Sequence, residues 1–485
     1  MSNISIKIPP GVVRPGTIYD AKGRWYDTVL VRWQDAVMQA WGGWSLLTGA
    51  ASATIGGPPR RMVAWQTDTT PFTRVAFGTH NKIWVNYGTG TSFDITPASG
   101  FTAGAVDSSG TYPWTTAEAN TWQIDVLNSN LVACALSDGK ILKQTSTSPT
   151  SKMAQVTNSP TGCSGLVVTP EGFLMALYAD ASRRKVMWPD QADETDWTAT
   201  AVNQAGDFTI PGNGQIMAGR RGRKETLIWT STDLWAARYI GGDFIYRFVP
   251  LGSQCGAISR ICMQVVDGRG IWMGHNGFYT YDGSVQHVPS EVSDYVFSDI
   301  NLDQGAKVAA DLRADFNSIL WYYPSSGSTE NDRVVAWNYV ENHWSILEGF
   351  ERVGGLDRGP TEYPMAADAS GAVYEHEKGT TYADEGGSPS YVPAATSGPI
   401  EIAQGDQTMM VRRYVPDEKT LGDVSLTIFH SFYPMESETT SGPHTASALT
   451  DLRLTARQLR VKYIEVSSGW RVGAPRLEVV QGSGR

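Results

Sequence analysis

Along most of the chain, apolar and polar residues alternate in short runs broken by turn signals. In KIWVNYG, Ile83, Val85 and Tyr87 alternate with Trp84 and Asn86, the two-residue period of a half-buried strand. LVACALSDGKILKQ sets Asp138-Gly139 between two such runs, and that dipeptide accepts the positive φ of a tight hairpin. The same device recurs at Asn276-Gly277 and Asp282-Gly283 in GIWMGHNGFYTYDGSVQHV, at Glu171-Gly172 and at Ser370-Gly371. RVVAWNYVENHWSIL turns at Glu341-Asn342-His343 and brings Trp337, Tyr339 and Trp344 close together. Hairpins return every 40 to 50 residues, roughly, which is the length of a four-stranded propeller blade. Strands that pair with sequence neighbours could also build a sandwich or a prism. Regular spacing over so long a stretch predicts an all-β chain whose body is a β-propeller of about six to eight degenerate blades.

Helical periodicity is scarce. After Pro289, Ser290 is placed as an N-cap with Glu291 in the first turn, and Val292, Tyr295, Val296 and Ile300 share one face. A second helical pattern is KVAADLRADF, around residues 307–316. Texture divides the chain further. Residues 1–55 form a Trp-rich arm with the first strands, and 56–378 the propeller body. The small, Pro-containing run GTTYADEGGSPSYVPAATSGP at 379–399 reads as a linker. Residues 400–485 carry alternating runs such as VSLTIFHSF and read as a separate β-sandwich-like domain.

Composition supports strands over helices: 17 Trp, 20 Tyr and 14 Phe suit pleated surfaces, while 50 Gly and 25 Pro suit tight turns. The 39 Lys and Arg against 49 Asp and Glu give a net charge of -10, which disfavours a surface that grips nucleic acid. It fits a wall past which DNA slides. Cys134, Cys163, Cys255 and Cys262 lack CxxC spacing and are expected as buried free thiols of a protein folded in a reducing cytoplasm. The N-terminus lacks a signal-peptide pattern, and no apolar run is long enough to span a bilayer.

Catalytic metal signatures are absent, while the 49 acidic residues leave a carboxylate pair for glycoside cleavage open. His80, His275, His287, His343, His376, His430 and His444 are scattered without HExxH spacing, so neither a metal nor another cofactor is expected. Asp190, Asp193 and Asp196 in DQADETDW fit an exposed acidic turn better than a calcium loop. No nucleophile elbow or phosphate-binding glycine loop stands out. Two basic runs remain: Arg183, Arg184 and Lys185, and Arg220, Arg221, Arg223 and Lys224. They read as solvated hairpin turns, with contact to DNA or an acidic neighbour as the sharper alternative. Trp84, Trp229, Trp272, Trp321 and Trp337 follow strand patterns and are expected in the core rather than on a sugar. The cluster Trp25, Trp33, Trp41 and Trp44 is less regular, and is expected to anchor the arm on its own domain or on a neighbouring subunit.

Four stretches carry a resemblance. These are IPPGVVR…YDAKGRWYDTVLVRW…GGW, RKETLIWTSTDLWAARYIGG, LGSQCGAISRICMQVVDGRGIWMGHNGFYTYDG with the helix after it, and QLRVKYIEVSSGWRVGAPRLEV. The first resembles the start of uncharacterised phage structural proteins. The other three, in order and spacing, resemble the tail hub or nozzle proteins of short-tailed bacteriophages, whose best-known member has no close counterpart of the Trp-rich run. The resemblance implies a non-enzymatic virion protein, made in the host cytoplasm and placed in the tail. It further implies a homohexameric ring below the portal and its head-to-tail adaptor, enclosing the genome-ejection channel. Tail fibres or tailspikes and a plug or needle would be partners, and double-stranded DNA would pass without specific binding. The alternative is a receptor- or glycan-binding propeller module.

Overall fold

The structure, a computed structural model, describes every residue except 1, 68–69, 88–89, 113–116, 145–147, 149, 386, 388–390, 402–406, 447–448 and 483–485. Seven four-stranded antiparallel sheets follow one another along the chain and form the blades of a β-propeller. Their innermost strands are Arg61–Thr67, Trp122–Leu127, Gly165–Val168, Ile216–Arg221, Met263–Val266, Ala309–Arg313 and Gly354–Leu356. Consecutive innermost strands touch, and the seventh returns to the first, so the ring is closed. Each blade is a meander of local hairpins, as the turn dipeptides require. Asp282-Gly283, for example, joins Phe278–Tyr281 to Val285–Val288, with Gly283 at φ +84°.

The seventh blade is built from both ends of the propeller. Gly354–Leu356, Met365–Ala367 and Val373–His376 supply three strands, and the arm supplies the fourth, Trp44–Leu46. His376 lies opposite Trp44 and Tyr374 opposite Leu46. Closing the ring this way ties the chain's beginning to residue 376.

Trp229, Trp272 and Trp321 occupy the second strands of blades four, five and six and are fully buried. The indoles of Trp229 and Trp272 meet edge to face at 5.7 Å. The Trp272 and Trp321 N–H groups donate to the Cys255 and Cys262 carbonyls at 2.6 and 3.1 Å, so neither buried donor is left unpaired. Trp337 is also buried, while Trp84 is half-buried. All four cysteines are buried free thiols.

Beyond the propeller, two further sheets face a shared core. One orders Ser2–Ser5, Arg476–Gln481, Met409–Val415 and Thr450–Ala456. The other orders Trp25–Val29, Ala394–Ser397, Gln458–Glu465, Val424–Ser431 and Thr439–Thr445, with Ile400–Glu401 beside Gln458–Glu465. A small third sheet joins Val31–Gln34 and Val37–Ala40 to Arg471–Val472. The arm is thus woven through these sheets before it reaches blade seven. One apolar cluster runs from Trp229, Trp272 and Trp321 to Trp25, Trp33, Val461 and Val479, so propeller and sandwich share a core.

Three expectations need correction. The segment around 307–316 is not helical: Ala309–Arg313 is the innermost strand of blade six, followed by one 3-10 turn at Ala314–Phe316. Its helical spacing was misleading because Asp311 and Arg313 are core residues paired with each other at 2.5 Å, with Tyr322 also donating to Asp311 at 3.0 Å. Part of the 379–399 linker, Ala394–Ser397, is a strand inside the sandwich, and residues 386 and 388–390 lie outside the described residues. The helix after Pro289 exists but covers only Ser293–Phe297, preceded by a turn in which the Ser290 hydroxyl accepts from the Val292 N–H at 3.3 Å.

Candidate functional site: hairpin tips and the propeller channel

The four arm tryptophans anchor the arm on its own chain. Trp25 packs against Trp33 and Tyr463 at 5.9 and 6.1 Å in the core shared by sandwich and propeller. Trp41 and Trp44 both meet Phe350 at 5.7 Å in a second core, where Trp44 also touches His376. None is more than 5% exposed, so they offer no face to a partner within this fold. Arg32 seals the arm beside them. Its guanidinium lies 3.4 Å from the Phe316 ring centre and makes a two-pronged pair with Glu377 at 2.7 and 3.0 Å.

Two hairpin tips do present apolar surface. In blade four, Asp233–Tyr239 and Tyr246–Ser253 are joined through Ile240, which is 54% exposed, and Phe244, which is 79% exposed. Gly241 and Gly242, both at φ +66°, permit the sharp reversal. A rigid aromatic group supports the base of this tip: Phe208 stacks on Phe248 at 4.3 Å, and Tyr246 meets Trp188 at 5.2 Å. In the sandwich, Val424–Ser431 and Thr439–Thr445 are joined through Phe432, Tyr433 and a Met435 that is 98% exposed. The Glu436 carboxylate accepts from the Phe432 and Tyr433 N–H groups at 3.0 and 3.1 Å, so the loop backbone is preset while its apolar side chains face solvent. Thr439–Thr445 is an outer strand, and among the described residues no strand pairs with its far side.

The basic run 220–224 divides between two environments, because the innermost strand of blade four ends at Arg221 and a turn follows. Arg220 and Arg221 end the innermost strand of blade four and line the propeller channel. Arg223 and Lys224 occupy the exposed turn that follows, where Arg223 donates to the Asp267 carbonyl at 2.7 Å. The reading of the whole run as a solvated turn therefore fails for Arg220, whose Nε and Nη2 are buried, while Arg221, still on the strand, is exposed. Arg184 donates to the Gly212 carbonyl, and Lys185 pairs with Asp180 at 3.0 Å. In the acidic turn Asp193 is exposed and accepts from the Thr195 N–H and hydroxyl at 2.9 and 2.7 Å, while Asp190 and Asp196 are half-buried and accept from the Gln204 N–H and the Asn203 amide at 2.9 and 2.8 Å.

At the channel end where the innermost strands begin, two adjoining clefts of about 550 and 520 Å³ share Glu118, Tyr178 and Gln215. Glu118 is held by Arg260 through two contacts of 3.0 and 3.2 Å. Tyr178 has φ 60°, and Asp180 and Ala181 follow at 53° and 55°, a concentration of left-handed non-glycine backbone at the cleft wall. The Tyr112 hydroxyl lies 3.3 Å from Nε2 of His275, whose pKa burial holds below its ordinary value. These cleft residues were not singled out from the sequence, since nothing in their spacing links positions 112, 118, 178 and 275.

No family model and no curated protein matches the chain. Among solved structures it is similar to the WD40 domain of Pan2 from Neurospora crassa (9% identity, 70% of this chain and 96% of that one, TM-score 0.41). It is also similar to the AfRom2 CNH domain (11% identity, 71% and 96%, TM-score 0.38). A third is the exo-β-1,3-galactanase of Phanerochaete chrysosporium (11% identity, 90% and 99%, TM-score 0.27). The propeller itself rests on the seven closed sheets described above.

Proposed function

We propose that this chain is a non-catalytic structural subunit of a virion tail, a nozzle or hub protein whose copies form a six-fold ring below the portal and adaptor. The observation that carries the assembly is the pair of preset apolar hairpin tips, around Phe244 and around Met435, on one interlocked body. Large exposed apolar side chains on rigid supports mark contact surfaces. Two unlike tips favour a head-to-tail contact between copies, which closes into a ring when the rotation allows. The six-fold count and the portal-adaptor partner come from the resemblance of the sequence to phage nozzles.

The DNA path would lie between copies, not inside a propeller. The channel cavity, of about 340 Å³ and lined by arginine, aspartate and apolar side chains, is far too small for a duplex whose major groove alone is about 12 Å wide. An acidic wall, in keeping with the net charge of -10, would let phosphates pass without sticking. Replacing both tips, Phe244→Ser with Met435→Ser, is expected to weaken assembly about tenfold or more while leaving the melting temperature within about 2 °C. Sedimentation velocity and thermal melting read the two effects separately. Unchanged assembly would remove the tips from the interface.

A second reading is favoured by the adjoining clefts with Tyr112, Tyr178 and His275, which offer ring faces beside polar groups, as a glycan or receptor site would need. Saturable binding of the purified monomer on a glycan array, lost in Tyr178→Ala, would favour it. Silence there would count against it.

A further inference from the structure

The propeller channel also holds a cavity that assembly does not use. Arg61 starts the innermost strand of blade one and Arg220 lies near the end of that of blade four, and both line one cavity of about 340 Å³ with Arg221, Asp125 and Asp357. Nε of Arg61, and Nε and Nη2 of Arg220, are buried without a hydrogen-bond partner. Arg220 spends only Nη1, on the Gln123 side chain and the Gly219 carbonyl. Arg61 makes no side-chain hydrogen bond to a described residue.

The carboxylates in the channel are committed elsewhere. Asp125 accepts from the N–H groups of Val126 and Val168, each at 2.8 Å, and from Arg221 at 3.2 Å. Asp357 accepts from the N–H groups of Arg358 and Ala314 at 2.8 and 3.1 Å. Deeper in, Asp311 serves Leu312, Arg313 and Tyr322. Three arginines against two aspartates leave the lining one positive charge (3 − 2 = 1). Burial, and then the neighbouring Arg61, push the Arg220 pKa down, against the pull of Asp125.

We propose that this channel cavity is a binding site for a small oxyanion, a phosphate or carboxylate group held between the guanidinium groups of Arg61 and Arg220. Planar guanidinium forks suit such groups because each offers parallel N–H donors to two oxygens. The aspartates, already satisfied by backbone N–H groups, would orient the arginines rather than compete as ligands. The inference is independent of the ring, since the site lies within a single propeller.

The test is calorimetric titration of the full chain with inorganic phosphate and, separately, with succinate, at constant ionic strength. Saturable binding of one or both is expected, and the preferred probe identifies the oxyanion class. Arg220→Gln and Arg61→Gln should each weaken it about tenfold or more. Arg223→Gln, in the exposed turn, should leave it unchanged. Should one channel variant fail to fold, the other carries the test, and the ligand-induced rise in melting temperature gives a second readout. Absence of saturable binding for both probes, or equal binding in wild type and both channel variants, would overturn the proposal.

Discussion

Trp44 shows how much one side chain can hold at a closing point. It sits on the strand that completes blade seven and touches Phe350, His376 and Tyr382, while the buried Arg352 stacks on it at 4.9 Å and pairs with Asp384 at 2.9 Å. Trp44→Ala should destabilise the fold by about 3–5 kcal/mol, read as a lowered urea midpoint; a loss under about 1 kcal/mol would mean that closure does not depend on this contact. Glu465 offers a pH test. Burial raises its pKa from 4.5 to about 7. Between those values the folded chain keeps a proton that the unfolded chain releases, so this group's contribution falls as pH rises through that window. Glu465→Gln should therefore melt higher than wild type at about pH 8, with the difference vanishing below pH 4.5. Melting curves across that range would show a constant difference if Glu465 were not responsible.

At the scale of elements, the hairpins were readable because their information is local. Asn342 at φ 55° and Gly371 at φ 104° sit in the turns where the sequence placed them. The helical reading of KVAADLRADF failed because its polar residues, Asp311 and Arg313, are buried as a pair inside a sheet, which hydrophobic periodicity cannot register. The split of the 220–224 run was readable in principle, since Gly222 marks the end of the strand that carries Arg220 and Arg221. The channel it faces was not, because Arg61, Asp125 and Asp357 come from other blades. Least legible was the arm: Trp44 pairs with His376, and Ser2–Ser5 with Arg476–Gln481, across most of the chain's length. Such pairing predicts that a chain lacking residues 1–46 loses cooperative folding in both parts, because blade seven and both sandwich sheets lose a strand. Circular dichroism melts and limited proteolysis would check this, and a sharp, native-like melt of the shortened chain would contradict it.

For the whole molecule, the shared core and the threaded arm make propeller and sandwich one mechanical unit, with two apolar tips on unlike modules. A stiff body of this kind suits a ring that must hold its shape while DNA passes, since interlocked sheets resist deformation. Its own channel is narrow and charged, so a ring reading requires a separate lumen between copies. The most direct test of the proposed ring is light scattering and negative-stain imaging of the purified full chain, alone and mixed with the portal-adaptor complex that the proposal assigns to it. The account predicts six-fold rings with a central opening bounded by neighbouring propellers, formed alone or on the adaptor. A chain that stays monomeric and ignores the complex would contradict it.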